Sequence, residues 1–359
     1  ELYSLYKKIS SNKEVPYGGF SNTRKLDIKE KILRFIRGNF IIPDPRKGWN
    51  KYAIKKAKEL IRLFQIDTVI TTSPPHSTQL IGLQLKNQLD IKWLADLRDP
   101  WTDIYYFRQM YPTFLAKWLH RRLEKKVLTR ADKITTVSHS LKKLFAQKAD
   151  GVYEKIEIIP NGFDNTDFQD FIKMAPTDVF YISYVGTISK EYNLKGFIQA
   201  IQELPGQIQS KIKIRFIGEM PSHLVERFAE AGLSSMLEFT GYVSHNLAIN
   251  FMISSDALLL VIPDVKNNEG ILTGKLFEYL ASKRPILFIG PEHGDAAKII
   301  RDTNSGLICG YTEHQKIKNE IINLLEKKGA EELINAPSNV SKYSRESLTS
   351  NLVKLLDTL

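Results

Sequence analysis

The chain has 359 residues, 43% of them hydrophobic, with 51 Lys and Arg against 40 Asp and Glu, a formal net charge of +11. That length predicts two domains of ordinary size, and no apolar stretch approaches the roughly 18 residues of a membrane span. A lone cysteine, Cys309, excludes a disulfide within the chain and fits a reducing compartment.

The opening fifty residues hold turn-rich pieces, VPYGGF and IIPDPRKGW, and one amphipathic helix over 26–37. A second helix follows from Trp49, WNKYAIKKAKELIRLFQ, its lysines forming a solvated face. Strands are predicted from Asp67 (DTVITT), Ile91 (IKWLAD), Asp132 (DKITTVS) and Lys155 (KIEIIP). Between them lies a helix over 117–128 with Trp118, Leu119, Leu123 and Val127 on one side and a basic opposite side. It reads as a packed helix with a solvated face or as a membrane-surface contact. After a polar break over 163–178 the alternation restarts with YISYVG, KIRFIG, LEFTG, ALLLVI, PILFIG and GLICG, and closes with an amphipathic helix over 345–356. Strand and helix alternating in this way predict an α/β protein with two doubly wound parallel sheets, each covered on both faces. The expected domains are 1–165 and 166–340, with 341–359 a helix returning to the first.

Charge is unevenly placed. Residues 1–165 hold 31 Lys and Arg against 17 Asp and Glu, whereas the remainder has 20 against 23. A basic first half attracts the phosphates of nucleic acid, anionic lipid or a lipid-linked diphosphate through the same screened Coulomb attraction.

Ligands of open parallel sheets bind beyond the C-terminal strand ends. In NNEGILTGKLFEYLASKRPI, residues 267–286, a turn delivers the chain to a helix N-terminus near Thr273 and Gly274. Unpaired N–H groups and about half a positive charge gather there. Lys275 lies in the first turn and Glu278 on the same face three residues later. The set suits a nucleotide sugar, with pyrophosphate on the helix end and ribose hydroxyls on Glu278. The alternative is an exposed Lys275–Glu278 ion pair on an ordinary helix. After YVG, the loop GTISKEYN opens a helix near Leu194, where Gly186 admits a ligand to the backbone and Lys195 adds a second cation. Gly218 and Gly241 also end strands, and Tyr242 and Val243 either line a flat nucleobase pocket or pack half-buried. Two lysines and the helix end supply about +2.5 charges, comparable with a diphosphate leaving group, so no metal ion is required. No Asp-x-Asp triplet or metal-like histidine spacing occurs in the sequence. In the first half, IKWLAD runs into LRDPWTD and places Asp96, Arg98, Asp99 and Trp101 at a strand end. They orient a sugar hydroxyl or phosphate, or form a structural Asp–Arg network. TTSPPHST adds Ser73 and His76 on a loop stiffened by prolines.

The segments GTISKEYNLKG, FTGYVS, SDALLLVIP, GKLFEYLASKRPI and GDAAKIIRDTNSGLI resemble the C-terminal half of family 4 retaining glycosyltransferases of the GT-B fold. TTSPPHST, WLADLRDPWTD, ITTVSHSLKK and IIPNGFD are similar to the bacterial members that build surface polysaccharides. The resemblance implies two Rossmann-like domains facing across a cleft, with Lys195 and Lys275 on the donor diphosphate and Glu278 on the ribose. It also turns the loop Glu269, Gly270, Ile271, Leu272, Thr273 toward the donor sugar through backbone N–H groups. The chain departs from the family in three places. Gly270, beside Glu269, stands where an acidic residue is common, Thr187 replaces a phosphate-binding arginine, and Arg98-Asp99 replaces a His-Asp pair. The family's opening strand and glycine-rich loop have no counterpart before Asp67. The resemblance, and a first residue that is Glu1 rather than Met, thus imply a chain lacking the start of its N-terminal domain, able to bind nucleotide yet short of activity.

The activity implied by the resemblance is that of a metal-independent, cofactor-free hexosyltransferase. It would move a hexose from a nucleotide diphosphate sugar to a glycan or lipid-linked glycan with retention, Asp96, Arg98 and Asp99 serving catalysis and Ser73 and His76 lying on the acceptor side. Its expected place is the cytoplasm, with peripheral contact to anionic membrane at the inner face as a further reading. A sugar-nucleotide epimerase or phosphorylase on the same fold is the rival, disfavoured because no histidine-rich catalytic set or pyridoxal-type lysine is seen. A non-catalytic nucleotide- or nucleic-acid-binding protein is the other, and nucleic acid is the disfavoured partner.

Overall fold

The computed structural model describes residues 28–169, 178–329 and 337–359, so VPYGGF lies outside the described residues. All ten expected strands form, and they belong to two parallel sheets. The chain divides into two compact units, one holding the described residues up to Pro160 with Asn351–Leu359, the other the described residues of Asn161–Ser350.

The first unit begins with α1 (Ile28–Phe40), a 3-10 turn (Pro45–Trp49) and α2 (Asn50–Phe64). It continues with β1 (Thr68–Ser73), α3 (Ser77–Gln88), β2 (Lys92–Leu97), α4 (Phe114–Arg130), β3 (Lys133–Thr136), α5 (His139–Ala146) and β4 (Ile156–Ile158). Its sheet runs β1-β2-β3-β4. The side chains of Thr113 and Ser138 accept hydrogen bonds from the backbone N–H of Ala116 and Leu141 and so start α4 and α5. Caps of this kind contribute about 1 kcal/mol each.

One expectation about α4 is corrected. Its buried stripe is Ala116, His120, Glu124, Val127 and Leu128, while Trp118 is 46% exposed beneath the Arg122 guanidinium. Two polar residues can lie on the inner side because each is paired. Trp101 Nε1 donates to His120 Nδ1 at 3.0 Å, and Lys148 donates to Glu124 at 2.7 Å. Buried polar groups that keep their partners avoid the desolvation penalty that would otherwise turn them outward.

The second unit comprises β5 (Phe180–Val185), α6 (Lys195–Gln202), β6 (Ile212–Ile217), α7 (Ser222–Glu230), β7 (Leu237–Gly241) and α8 (His245–Ser254). Then come β8 (Ala257–Val261), α9 (Gly274–Ser282), β9 (Ile286–Ile289), α10 (Asp295–Asp302), β10 (Gly306–Cys309), α11 (His314–Gly329) and the start of α12 (Arg345–Leu356). The run ALLLVI alternates between layers. Ala257, Leu259 and Val261 join one core cluster, and Leu258, Leu260 and Ile262 join another. A strand covered on both faces reads as a continuous apolar run for this reason. The sheet order is β10-β9-β8-β5-β6-β7. The chain winds outward from β5 through β6 to β7, then returns to β8 on the other flank of β5. That reversal is the topological switch point, where crevices open at the carboxyl ends of the strands.

Packing of α3 on β2 is close. A Cβ at Gly82 would collide with Trp93 Nε1, and that indole is held by its hydrogen bond to Thr71 Oγ1 at 2.8 Å. Gly82→Ala should therefore lower the stability of this unit by about 1–3 kcal/mol through overpacking. In urea unfolding followed by tryptophan fluorescence its midpoint should fall, whereas Gly48→Ala, in the same unit and with open space around the added methyl, should leave the midpoint unchanged or raise it.

Candidate functional site

At the switch point of the second unit, β5 is followed by Gly186 with φ +112° and β6 by Gly218 with φ +128°. Both lie in the region that favours glycine, and space also demands it. A Cβ on Gly186 would meet Lys275 Cε at 2.5 Å, and one on Gly218 would meet the Gly186 carbonyl oxygen at 2.6 Å. Lys275 thus lies across the bare backbone of Gly186. Its ammonium donates to Tyr184 Oη, which in turn donates to the Thr187 carbonyl at 3.1 Å, and it sits 4.4 Å above the Tyr184 ring. Burial lowers the Lys275 pKa to about 8, with Glu278 opposing.

The helix carrying Lys275 is pinned by Tyr279, whose hydroxyl accepts the N–H of Val185 at 2.9 Å. β8 pairs with β5 only at Ile182 and Ser183. Tyr279 thereby satisfies a backbone donor that the sheet leaves over and fixes α9 against the end of β5.

As expected, α9 starts at Gly274 with Thr273 as its N-cap. Thr273 makes no side-chain cap, and its Oγ1 is buried without a hydrogen-bond partner. A Cβ on Gly274 would meet nothing within 4 Å, so the helix start opens onto free space. The preceding loop is held by Asn268, whose amide donates to the Pro263 carbonyl and to Tyr311 Oη, both at 2.9 Å. Glu269 is exposed, Gly270 and Leu272 are buried, and the N–H of Ile271 donates to the Asn268 carbonyl at 3.1 Å. The Ile271 N–H is therefore taken, which corrects the expectation that it faces a ligand.

Glu278 is half-buried, and burial raises its pKa. Among the described residues it makes no hydrogen bond or ion pair, and no salt bridge joins it to Lys275. The exposed Lys275–Glu278 ion pair does not form. Instead Lys275 turns toward Tyr184, and the two charges flank the helix start separately. His245, which pairs with Asp167 at 3.3 Å, is the largest electrostatic influence lowering the Glu278 pKa.

Lys195 is the first residue of α6 and exposed, with its backbone N–H donating to Asn193 Oδ1 at 3.1 Å. It follows β5 as Lys275 follows β8, so both cations belong to the carboxyl end of the sheet. Tyr242 and Val243 follow β7, the outermost strand. Tyr242 is 88% exposed, and Val243 packs on the core.

In the first unit, His76, Arg98 and Asp99 share the carboxyl end of β1 and β2, and Trp101 is buried beside His76. Burial raises the Asp99 pKa against the pull of the Arg98 guanidinium. Two expected site residues turn into the sheet instead. Asp96 takes a hydrogen bond from Thr72 at 2.6 Å and another from Thr135 at 2.8 Å, while Ser73 is buried and accepts from the Gln79 amide at 3.0 Å. Both are tied into a cross-strand network, and neither presents a free side chain at the strand ends. Sequence reasoning missed Tyr184, Tyr279 and His120. Tyr184 lies two residues before the strand-end glycine and Tyr279 one helical turn after Lys275, the spacings that direct them to this site.

Residues 165–347 match the family model of glycosyl transferases group 1, and residues 19–167 that of glycosyltransferase family 4. Among solved structures, sucrose-phosphate synthase from Thermosynechococcus elongatus is 14% identical with a TM-score of 0.64, the match covering 88% of this chain and 79% of that one. A glycosyltransferase from Rickettsia africae is 13% identical with a TM-score of 0.61, covering 93% and 82%. Anabaena HepE, solved in complex with UDP-glucose, is 15% identical with a TM-score of 0.62, covering 84% and 82%. No curated protein matches the chain.

Holding Lys275 in this place has a thermodynamic signature. Its folded pKa of about 8 lies below the ordinary 10.5, so the unfolded chain keeps the proton through the interval in which the folded chain has lost it. Stability from this group therefore rises between about pH 8 and 10.5. Lys275→Met should stabilise the second unit, more at pH 7 than at pH 10.5, in paired thermal melts. An equal gain at both values would mean that Lys275 is not desolvated.

Proposed function

Because the chain belongs to the glycosyl transferases group 1 family, we propose that it moves a hexose from a nucleotide diphosphate sugar to a glycan or lipid-linked glycan, retaining the anomeric configuration and needing no metal ion. The observation that carries this reading is the start of α9 at the switch point, where a desolvated ammonium and an unpaired carboxylate flank a helix N-terminus without neutralising each other.

Each part of that arrangement has a chemical task. The helix N–H groups and the Lys275 ammonium receive the diphosphate, and Glu278 accepts from the ribose diol. Lys195 adds a second cation. The cations and helix end total about +2.5 charges, which balances a nucleoside diphosphate leaving group as the glycosidic C–O bond breaks. With retention, the acceptor oxygen bonds to the anomeric carbon on the face the phosphate leaves, and its proton passes to a phosphate oxygen. Asp99 and Arg98 of the first unit orient the acceptor hydroxyls.

A surface-polysaccharide role at the cytoplasmic face of a membrane has its own support. The first unit exposes Ile32 and Phe40 on α1 and Phe114 and Leu115 on α4. The two helices are tied where Asn39 accepts the Thr113 N–H at 2.7 Å, and α4 continues through Arg121, Arg122, Lys125 and Lys126. Apolar residues beside a basic row suit an anionic lipid surface.

The test is ligand-induced thermal stabilisation with UDP, GDP and ADP in EDTA, then nucleotide release from the matching sugar donor. One nucleotide should raise the melting temperature by several degrees. Lys275→Ala and Glu278→Ala should each weaken it at least about tenfold, or 1.4 kcal/mol. Affinities unchanged in both variants would refute the site, and binding lost in EDTA would refute metal independence.

A further inference from the structure

Tyr184 is buried, its ring packed in the core against Phe216 at 6.3 Å and edge-on to Tyr192 at 6.3 Å. A phenylalanine would fill that space equally well, so the hydroxyl has no packing task. Bringing it into a core costs desolvation, which its hydrogen bonds must offset. Both of them go to the carboxyl end of the sheet. The Thr187 carbonyl, in the loop that leads from β5 to Lys195, accepts the phenol proton at 3.1 Å, and the Lys275 ammonium donates to the phenol oxygen.

The direction of these bonds matters. A phenol has one proton, and Thr187 takes it. Toward Lys275 the oxygen is therefore an acceptor alone, which favours the ammonium over the neutral amine. The lysine stem is otherwise flexible, but here it lies against the bare backbone of Gly186, and the tip rests 4.4 Å above the Tyr184 ring and 5.9 Å from that of Tyr192. Among the described residues the ammonium makes no other hydrogen bond.

The remaining titratable groups around it do not supply this hold. Burial raises the phenols of Tyr184, Tyr192 and Tyr279, so all three stay neutral while Lys275 titrates, and the Tyr279 oxygen is occupied by the Val185 N–H. Glu191, beside Tyr192, accepts from the Ser189 hydroxyl at 2.8 Å. Glu278 attracts Lys275 through space without a salt bridge.

We propose that Tyr184 is a positioning residue of this site: its phenol oxygen holds the Lys275 ammonium over the end of β5, keeps it charged, and leaves its remaining hydrogens for the oxygens of a nucleoside diphosphate. The use made of the ammonium rests on the donor reading above; the hold on Lys275 does not.

The experiment follows Lys275 by NMR in the full chain with isotope-labelled lysine, its resonance assigned by its absence from Lys275→Arg. In the unaltered protein its ε protons should lie upfield of other lysines, shielded by the Tyr184 ring, and titrate at about 8. In Tyr184→Phe, which keeps the ring, the midpoint should fall by at least about one pH unit. UDP affinity is taken as the ratio of variant to unaltered protein, so that ionisation of the nucleotide cancels. That ratio should stay within about twofold of unity at about pH 6 and drop at least about fivefold at about pH 8.5. A midpoint unmoved in Tyr184→Phe would overturn the hold, and a ratio equal at both pH values would reduce Tyr184 to a packing residue. If Tyr184→Phe does not fold, the unaltered protein decides alone, and unshifted ε protons titrating at the ordinary 10.5 would overturn the proposal. UDP failing to bind the unaltered protein would refute the donor reading while the titration still reports on Tyr184, so the two failures are distinguishable.

Discussion

The candidate donor site depends on one steric constraint, that β5 must be followed by a residue without a side chain. Lys275 reaches Tyr184 only by lying across Gly186, and the Gly186 carbonyl can sit there only because Gly218 is also bare. Their positive φ angles and the close approaches point the same way, so the strand ends are specified twice. Tyr279 then locks α9 to the Val185 N–H, which leaves the helix start no freedom to slide along the sheet. A packed, two-sided interior transmits such placement because it has few voids into which a helix could shift.

Within that frame the charges are held apart at some cost in stability. A cation over the Tyr184 ring gains roughly 0.5–2 kcal/mol, which offsets part of the desolvation it suffers. Nearby Glu278 also carries a burial penalty, and closing a salt bridge would relieve both groups. The structure does not close it. A perturbed ammonium and an unpaired carboxylate held apart at a switch point are what a candidate ligand site looks like.

Much of this was legible in the sequence because parallel sheets buried on both faces write themselves as short apolar runs. ALLLVI and PILFIG needed no tertiary information to be read as strands, and the Thr273–Lys275 helix start followed from the glycine-bearing turn before it. What could not be read was lateral register. Thr72, Asp96 and Thr135 lie directly opposite one another across β1, β2 and β3, yet they are far apart in sequence, so Asp96 looked like a free carboxylate at a strand end. The same limit applies to α4. Its apolar residues suggest a face of Trp118, Leu119, Leu123 and Val127, of which Val127 is buried, but the rest of the inner side is decided by the partners of His120 and Glu124, Trp101 and Lys148, which come from elsewhere in the chain.

The two units use titratable groups in opposite ways, and the contrast bears on where an acceptor's proton can go. In the second unit Lys275, with a pKa of about 8, stays largely cationic at neutral pH, as its proposed part in stabilising a leaving group requires. In the first unit burial holds His76 and His120 neutral down to about pH 4, too low for either to be an efficient general base near pH 7. Arg98 has no lone pair to offer. Asp99 has a raised pKa, but beside Arg98 its carboxylate serves better to orient a hydroxyl than to hold its proton. In the transfer proposed above, the first unit's groups offer no efficient base, and the proposal therefore passes the acceptor's proton to the departing phosphate oxygen.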